Sequence, residues 1–498
     1  MKLLSFLRRT AAAPAPRREP VVVQRSYSGA SNAARYADFK ASYLSADAEL
    51  ETALPKLRAR ARNLERNNPH ARRFVSLLQD NIVGSAGFAL QVSAKRTDGP
   101  NPQPDNYGND LILNAWKKWT RSATADGMMT FREACRAVVR AWARDGEILV
   151  HFRQGRQFRD ALALRIYEAD HLDETLNRTY PGTRNRIRMG VEIDGDEKPI
   201  AYHILTDHPG ETVWSSGNRR YTRIPASEML HVYIKSRPGQ TRGEPPMCVV
   251  LTDVKMMAGY REAEVTNRRV AASKMGFFER DENAGPVKGV ADSITPDGQL
   301  EMEVEPGKMT ALPPGYRFNS FNPNTSSTDF AGFERQMIRS IAAGLGVSYF
   351  DLAMDLSDVS YSSIRQGALS DRDFYRGLQS FFIERFVWPV YSRWLQNLFD
   401  FTDTGIPARR YEKFLDASSF RGRGWSWVDP QKEIDAAIKA REGRMNSLQN
   451  QVAETGRDWW EVADEIAEEE AYLDKLKIPV ISKNQPAQQP VANNAADQ

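Results

Sequence analysis

The feature that most constrains the fold is a long helical pattern that opens at Pro245 and Pro246. It continues to Arg280, and a helix of about 34 residues spans roughly 50 Å. Because globular helices average about 11–12 residues, the pattern predicts a helix that bridges two bodies. A second helical pattern covers 330–345. We therefore expect residues 281–328, rich in Gly, Pro and short strand-like runs, to form a compact insertion between two helices.

The residues before this long helix have the pattern of a mixed α/β body. Helical periodicity is present over 46–83, 108–121 and 130–145. Between Glu147 and Ile234 the pattern changes to short runs rich in β-branched and aromatic residues, which are separated by turn dipeptides. These features predict an α+β fold with a largely antiparallel sheet.

The residues after the second helix predict a loop, a long helix and an acidic helical region. The loop covers 347–360, and the helix follows over 362–399 with a kink expected at Pro389. An acidic helical pattern begins at Asp429. The Gln-, Asn- and Ala-rich residues from 481 onward predict a disordered tail.

Charge is distributed unevenly along the chain. There are 68 Lys and Arg residues against 64 Asp and Glu, so the net charge is only +4. Arginines concentrate in the first seventy or so residues, while acids concentrate between Asp429 and Asp474. A uniformly basic DNA-binding protein does not have this distribution, whereas a protein that meets several different partners can have it.

Cysteine usage and motif searches give little support to a metal centre or a catalytic site. The two cysteines, Cys135 and Cys248, lack a zinc-type spacing, so we expect neither structural zinc nor a disulfide framework. The nearest match to a phosphate-binding loop, 306–310, lacks the upstream glycine and has Met309 where a magnesium-binding hydroxyl belongs. The chain has no HExxH and no GxSxG motif. We therefore expect no enzymatic activity, no cofactor and no metal, and no membrane segment, since no apolar run approaches about 18 residues.

A series of short segments shares its order and spacing with a known family. The segments are Arg66-Asn-Asn-Pro69, Ala71-Arg-Arg-Phe74, Asn81-Ile-Val-Gly84, Arg144-Asp-Gly-Glu147, Glu168-Ala-Asp-His-Leu172, Arg223-Ile-Pro-Ala226 with His231, Gly243-Glu-Pro-Pro246, Arg339 to Tyr349, Asp429-Pro-Gln-Lys-Glu433 and Gly456-Arg-Asp458. Together they resemble the portal proteins of lambda-like tailed bacteriophages, over most of the chain from Arg58 to Ile478.

This resemblance implies a structural role in a virus particle. Portal subunits form a ring of about twelve copies at one capsid vertex, and the ring conducts double-stranded DNA during packaging and ejection. The implied partners are the terminase, the head-completion or adaptor proteins, and the major capsid and scaffolding proteins. The implied location is the virion, after assembly in the cytoplasm of the bacterial host.

The resemblance also implies a portal fold and its division into parts. These are a flexible basic N-terminal arm (1–30), an α/β wing (31–245), a first stem helix (246–280), a small α/β clip (281–328), a second stem helix (329–346), a tunnel loop (347–361), a kinked long helix with the return to the wing (362–428), an acidic helical crown (429–478) and a disordered tail (479–498).

Two groups of residues are candidates for contact with DNA in that architecture. The cations Arg268, Arg269 and Lys274 at the end of the first stem helix are candidates to face phosphate, because a sliding duplex needs weak backbone contacts and no base readout. In the tunnel loop, acids are expected to repel phosphate. These acids are Asp351, Asp355 and Asp358.

Two questions stay open from the sequence. The alternating charges between Arg261 and Arg269 suit either contacts between neighbouring stem helices or a solvated helix face. Two other functions compete with the portal: another structural head or adaptor protein, and a terminase-like nuclease or ATPase. An adaptor is expected to lack an insertion between two long helices, and an ATPase or nuclease assay would identify the enzyme.

Overall fold

The computed structural model describes residues 43–96, 103–211, 219–272, 276–280, 316–320, 330–357, 360–425, 430–454, 457 and 459–476. Ala46 to Gln498 form one unit and Met1 to Ser45 another, and all the helices and strands described below belong to the former. The predicted arm (1–30), the predicted tail (479–498) and most of the predicted clip lie outside the described residues.

The described part of the chain is built from helices and antiparallel strands. The α-helices are α1 (Ala46–Asn67), α2 (Pro69–Leu78), α3 (Asn106–Trp119), α4 (Phe131–Asp145), α5 (Leu251–Ala272), α6 (Phe330–Leu345), α7 (Tyr349–Ala353), α8 (Tyr361–Phe382), α9 (Trp388–Phe401), α10 (Tyr411–Asp416), α11 (Pro430–Glu442), α12 (Leu448–Glu454) and α13 (Trp459–Lys475). Within these residues no helix combines the length and the hydrophobicity that a membrane crossing requires.

The strands are β1 (Ala89–Val92), β2 (Glu147–Gln154), β3 (Leu162–Tyr167), β4 (Arg178–Thr179), β5 (Arg186–Arg188), β6 (Val191–Ile193), β7 (Pro199–Leu205), β8 (Tyr221–Pro225), β9 (Met229–Tyr233), β10 (Gly276–Arg280), β11 (Tyr316–Ser320) and β12 (Ser418–Arg421). They form a three-stranded sheet in the order β3-β2-β9, a five-stranded sheet from β4 to β8, and the pairs β1-β12 and β10-β11. All pairings between these strands are antiparallel, and one isolated parallel bridge joins Thr124 to Leu164. The predicted α+β class is confirmed.

Capping residues determine where several helices begin and end. The Asn68 side chain accepts hydrogen bonds from the main-chain N–H groups of His70 (3.0 Å) and Ala71 (3.1 Å), which separates α2 from α1. Thr130 and Glu133 form a capping box at the start of α4. Gly146 ends α4 with a φ of +87°, a value that glycine adopts without strain.

The main hydrophobic core lies between α3, α4 and the helices α8 and α9. Its centre is aromatic: the ring of Trp116 lies 5.0 Å from Trp119 and 4.9 Å from Trp394. Nearby, β1 pairs with β12 from Ala89↔Arg421 to Val92↔Ser418. Residues more than 300 positions apart in the sequence are therefore paired beside one core.

The first long helix is shorter than predicted. A 3₁₀ turn covers Pro246–Val250, α5 ends at Ala272, and 276–280 form strand β10 instead of continuing the helix. Glycine is a poor helix former, and the aromatic residues Phe277 and Phe278 favour a strand. The prediction of one helix to Arg280 was therefore wrong, since pairing with β11 overrides the helical periodicity.

Two features near the predicted tunnel loop also differ from the sequence-based expectation. The loop contains the short helix α7, which places Leu352 in the core. The long helix predicted over 362–399 is α8 and α9 joined by a π-helical turn, Ile383–Val387. Pro389 has no N–H to donate to the preceding turn. We therefore interpret the π-helical turn just before it as the kink predicted from the sequence.

Candidate functional site

Helices α5 and α6 pack against each other through one ion pair and a small aromatic group. Arg261 on α5 pairs with Glu334 on α6. The ring of Tyr260 lies 5.6 Å from Phe330 and 4.9 Å from Phe333. Arg261 is therefore engaged inside the chain, which accounts for one of the charges between Arg261 and Arg269.

Two of the three candidate DNA-facing cations, Arg268 and Arg269, lie at the end of α5 and are accessible to solvent. Nε of Arg268 lies 2.8 Å from Oε1 of Glu264, one turn earlier, yet the Arg268 side chain is 60% exposed. Arg269 is exposed as well. Lys274 lies outside the described residues. The structure thus leaves both described arginines free to contact an outside group.

Of the three candidate acids, two are described, and their surroundings differ. Oδ2 of Asp355 accepts from the Tyr349 hydroxyl (2.7 Å), and Oδ1 accepts from the Ser357 main-chain N–H (3.0 Å). Hydrogen bonds from Ser357 and Tyr349 lower the pKa of Asp355 to about 2. Asp351 lies within α7 and is half-buried, and Asp358 lies outside the described residues.

A second acid, Asp371 on α8, is buried near Asp351. Burial raises the pKa of each carboxyl group, and the charge of Asp351 raises that of Asp371 further. We call Asp351 and Asp371 the carboxyl pair. The nearest cation is Arg73 on α2, whose Nε donates to the main-chain oxygen of Asp351 at 3.0 Å. Asp371 could not be identified from the sequence, because acidic residues are common on the polar face of an amphipathic helix.

A denser group of charges lies between α1 and the three-stranded sheet, centred on Glu147. Oε1 of Glu147 accepts from Nε of Arg242 at 2.8 Å, and Oε2 accepts from Nε2 of His231 at 2.8 Å. The Gly243 main-chain N–H also donates to Oε2, at 2.8 Å. From α1, Nη1 of Arg58 donates to Oε1 at 3.3 Å.

The side chains of Glu147 and Arg242 are both 0% exposed, so this group is fully desolvated. Burial alone would favour the neutral acid, but Arg242 and His231 hold the pKa of Glu147 far below its usual range. Arg242 also donates to the main-chain oxygens of Leu172 and Met189, each at 2.9 Å. Every charge at the centre of this group therefore has a partner.

Asp170 extends the group towards the surface. Nη2 of Arg58 donates to Oδ1 of Asp170 at 3.2 Å, and Arg62 pairs with Oδ2. Burial opposes ionisation of Asp170, yet Arg58 and Arg62 keep its pKa below the usual range. We call Arg58, Glu147, Asp170, His231 and Arg242 the Glu147 cluster.

Glycine at 146 lets two chain segments meet beside the Glu147 cluster. A Cβ atom on Gly146 would lie 2.2 Å from the main-chain carbon of Glu244. The sequence segments around 144–147, 168–172, 231 and 243–246, which carried the family resemblance, therefore converge here. Arg58 and Arg242 were not identified from the sequence, because they lie 89 and 95 positions away from their partner Glu147.

One group of side chains within the described residues has the spacing of a metal site. Ligand atoms of Glu168, Asp170 and His208 lie within 4.8 Å of one another. Asp170 is already paired with Arg58 and Arg62. A cation here would meet two guanidinium charges, so these residues do not fit a metal ion.

The family model and the curated relatives that match this chain agree on one family. Residues 32–379 match the family described as "Phage portal protein, lambda family". The "Probable portal protein" of Halomonas phage phiHAP-1 is 35% identical over 426 residues, which is 85% of this chain and 81% of the relative. "Portal protein B" of Escherichia phage lambda is 24% identical over 465 residues, covering 84% of each chain.

Solved structures that resemble this chain do so at low sequence identity. One is the neck of an empty gene transfer agent particle, computed with C6 symmetry, at 15% identity and a TM-score of 0.43 over 80% of this chain and 92% of that one. Another is the crystal structure of an HK97-family phage portal protein from Corynebacterium diphtheriae, at 10% identity and a TM-score of 0.30 over 74% of this chain and 94% of that one.

Proposed function

The chain belongs to the lambda family of phage portal proteins, and we propose that it forms a DNA-conducting ring in a tailed virus particle. In this proposal about twelve copies surround a channel at one capsid vertex, and double-stranded DNA passes through during packaging and ejection. The observation that carries the proposal is the family match over residues 32–379.

A closed ring requires two different complementary faces on each subunit. Large apolar side chains are exposed along α5 and α6, where a neighbouring copy would cover them. Met256 is 67% exposed, and Tyr260, Val265 and Phe333 are also exposed. Exposed apolar patches of this kind are typical of protein–protein interfaces, which supports the ring.

Arg268, Arg269 and Lys274 are the proposed phosphate-facing cations. Repetition around a ring converts each side chain into a circle of like charges, which attracts the duplex without reading its bases. The exposure of Arg268 and Arg269 supports this assignment. In the proposed tunnel loop, Asp355 repels the DNA phosphates, because its low pKa keeps the carboxylate ionised at neutral pH.

The proposed division into wing, stem, clip, tunnel segment and crown follows the predicted boundaries, except that the first stem helix ends at Ala272. Pairing of β10 with β11 closes the insertion between α5 and α6, which supports a portal over an adaptor protein. The proposed partners are the terminase, the head-completion or adaptor proteins, and the major capsid and scaffolding proteins. We propose that the terminase supplies the energy for packaging and that this chain has no catalytic activity.

Electron microscopy of the purified full-length protein tests the ring directly. End-on views should show a closed ring with a central opening wide enough for duplex DNA. A protein that stays monomeric or dimeric under all assembly conditions contradicts the proposal. ATP hydrolysis or DNA cleavage by the purified chain would favour the terminase-like alternative.

A packaging assay tests the proposed channel residues. We expect the triple variant Arg268→Gln, Arg269→Gln, Lys274→Gln to assemble normally but to package or retain less DNA. Arg186→Gln, a half-exposed arginine of the five-stranded sheet, is the matched control and should package normally. Replacement of Asp351, Asp355 and Asp358 by Asn tests the repulsion, and unaltered packaging and genome retention would count against it.

A further inference from the structure

A small cavity with mainly basic walls lies between the start of α3 and the segment that joins α9 to α10. Its volume is about 180 Å³. Because a cavity needs roughly 10–15 Å³ to hold one water, this one has room for a group of five heavy atoms. Three cations line it, Arg96, Arg410 and Lys413, and of the described residues that line it only Asp105 is acidic. Three cations against one acid leave a net charge of +2 on its walls.

The one acid in the wall is already engaged. Oδ2 of Asp105 pairs with Nζ of Lys413, and Oδ1 accepts from the main-chain N–H of Gly108 at 3.4 Å at the start of α3. Burial opposes ionisation of Asp105, but the hydrogen bond from Lys413 holds its pKa below the usual range. Since an ammonium group has three N–H donors, Lys413 keeps donors for a further partner.

Main-chain hydrogen bonds hold the two segments that carry the arginines. The N–H of Arg96 donates to the Gln103 oxygen at 2.7 Å, in an extended stretch just before α3. The N–H of Arg410 donates to the Pro407 oxygen at 2.9 Å and closes a 3₁₀ turn. Both arginine side chains are exposed. Two separate, hydrogen-bonded segments therefore bring guanidinium groups to one cavity.

The rest of the wall adds a hydroxyl group and no further acid. A Cβ atom on Gly405 would lie 3.5 Å from the Tyr107 hydroxyl, and both residues line the cavity. A tyrosine hydroxyl can donate a hydrogen bond. In the same turn Asp403 does not line the cavity, and its Oδ1 accepts from the Gly405 main-chain N–H at 3.1 Å.

We propose that this cavity is an oxyanion site that takes a phosphate group. Each guanidinium presents paired N–H donors that match two phosphate oxygens. Asp105 compensates Lys413, so Arg96 and Arg410 supply the uncompensated charge. A free phosphate near neutral pH carries about two negative charges, which balance those two arginines. A phosphate of the DNA backbone carries one, and it is the second source of the same chemistry.

Isothermal titration calorimetry of the full-length protein with inorganic phosphate tests the site. In a chloride buffer at pH 8, one phosphate should bind per subunit. Arg410→Gln should weaken binding about tenfold, the effect of losing a charge-assisted hydrogen bond. The double variant Arg96→Gln, Arg410→Gln should show no saturable binding. Thermal unfolding without phosphate should be unchanged in both variants, because these side chains are exposed.

Two further variants separate a built site from general positive charge. Arg409→Gln is the matched control, because Arg409 is exposed and adjacent to Arg410 but does not line the cavity. It removes the same charge and should bind phosphate like the unmodified chain. Arg410→Lys keeps the charge but loses the paired donors, so its affinity should lie between those of Arg410→Gln and the unmodified chain.

Duplex DNA distinguishes the two sources of phosphate. This arm rests on the proposed function, because it requires DNA beside this surface. If a backbone phosphate occupies the site, Arg410→Gln should weaken duplex binding and lower its salt dependence by about one phosphate contact. If the site takes only free phosphate, Arg410→Gln should lose phosphate affinity and bind the duplex unchanged. Either result supports the site and identifies its source.

Absence of saturable phosphate binding to the unmodified chain would overturn the inference. So would equal weakening by Arg409→Gln and Arg410→Gln. Neither result bears on the ring, since calorimetry with inorganic phosphate needs no DNA and no packaging. Conversely, failure of the protein to form an open ring would overturn the proposed function and leave the phosphate result standing.

Discussion

The Glu147 cluster and the carboxyl pair are two buried groups of charge with opposite composition. In the Glu147 cluster, two arginines surround Glu147 and Asp170, together with the hydrogen-bond donor His231, whose own pKa is lowered by burial. Both carboxyl pKa values are lowered. In the carboxyl pair, two acids share one nearby arginine, and both pKa values are raised. Burial opposes ionisation at both sites, so the difference comes from the number of compensating cations.

This difference predicts that the two carboxyl groups of the Glu147 cluster keep their charge near neutral pH, whereas the charge of the carboxyl pair depends on pH. The lowered pKa values keep Glu147 and Asp170 ionised at neutral pH. The raised pKa values of the carboxyl pair move its titration towards neutral pH. The four predictions that follow test whether this contrast holds.

The largest expected effect is loss of a cation from the Glu147 cluster. Arg242→Met leaves Glu147 buried with fewer partners, and removal of one member of a buried ion pair costs about 3–5 kcal/mol. Chemical denaturation at pH 7 measures the free energy of unfolding. Arg186→Met, which breaks a half-exposed pair with Glu197, should cost less than about 1 kcal/mol. Similar losses in both variants would contradict the contrast.

The second expected effect concerns the acid side of the pH range. Asp170→Asn removes charge-assisted hydrogen bonds and should cost about 1.5–3 kcal/mol at pH 7. The folded-state pKa of Asp170 is lowered, so its stabilisation is present above the ordinary value of 3.8 and is lost as pH falls below it. The difference between the variant and the parent should therefore stay constant from pH 7 to about pH 5 and shrink as pH falls below 3.8. A difference that stays constant below pH 3.8 would show that Asp170 does not act through its charge.

The third effect has the opposite sign. Asp371→Asn removes a buried carboxyl group that has an unpartnered Oδ2 atom and should stabilise the protein at pH 8 by about 1–3 kcal/mol, the range for the cost of an unsatisfied buried polar group. Because the pKa of Asp371 is raised, its stabilisation is present below 3.8 and is lost as pH rises. The gain from Asn should therefore grow with pH. A gain equal at pH 4 and pH 8 would contradict this.

The smallest expected effect belongs to the exposed end of α5. Arg268 pairs with Glu264 one turn earlier, and because the Arg268 side chain is 60% exposed, Arg268→Gln should change the free energy of unfolding by no more than about 0.5 kcal/mol. Thermal unfolding in low and high salt measures it, and the small change should vanish in high salt. A larger loss would mean that Arg268 is needed to compensate the buried Glu264 and is unsuitable as a DNA-facing group.

Local sequence signals predicted the helices with capped ends well. Thr130 and Glu133 with Gly146 define α4 within the predicted range of 130–145. The periodicity continued past Ala272, however, and only the pairing of β10 with β11 shows that the helix ends there. Local patterns do not contain pairings between distant strands.

The charged sites were harder to predict for the same reason. Glu147 lay in a quoted segment, but Arg58 and Arg242 are brought to it from 89 and 95 positions away. Asp351 was selected as one acid of a loop, while Asp371 was hidden in an amphipathic helix. Burial inverts the expected behaviour of Asp351, and burial is not visible in a charge pattern.

The pairing of β1 with β12 has a consequence for synthesis of the chain. Arg421 donates to Gln91, 330 positions earlier, and at about 5–20 residues per second a ribosome needs roughly 15–65 s to connect them. During that interval β1 has an unpaired edge, which is a site where nascent chains aggregate. Ribosome-bound chains that end before Ser418 should accordingly be cleaved by protease near Ala89, and chains that extend well beyond Arg421 should resist cleavage there.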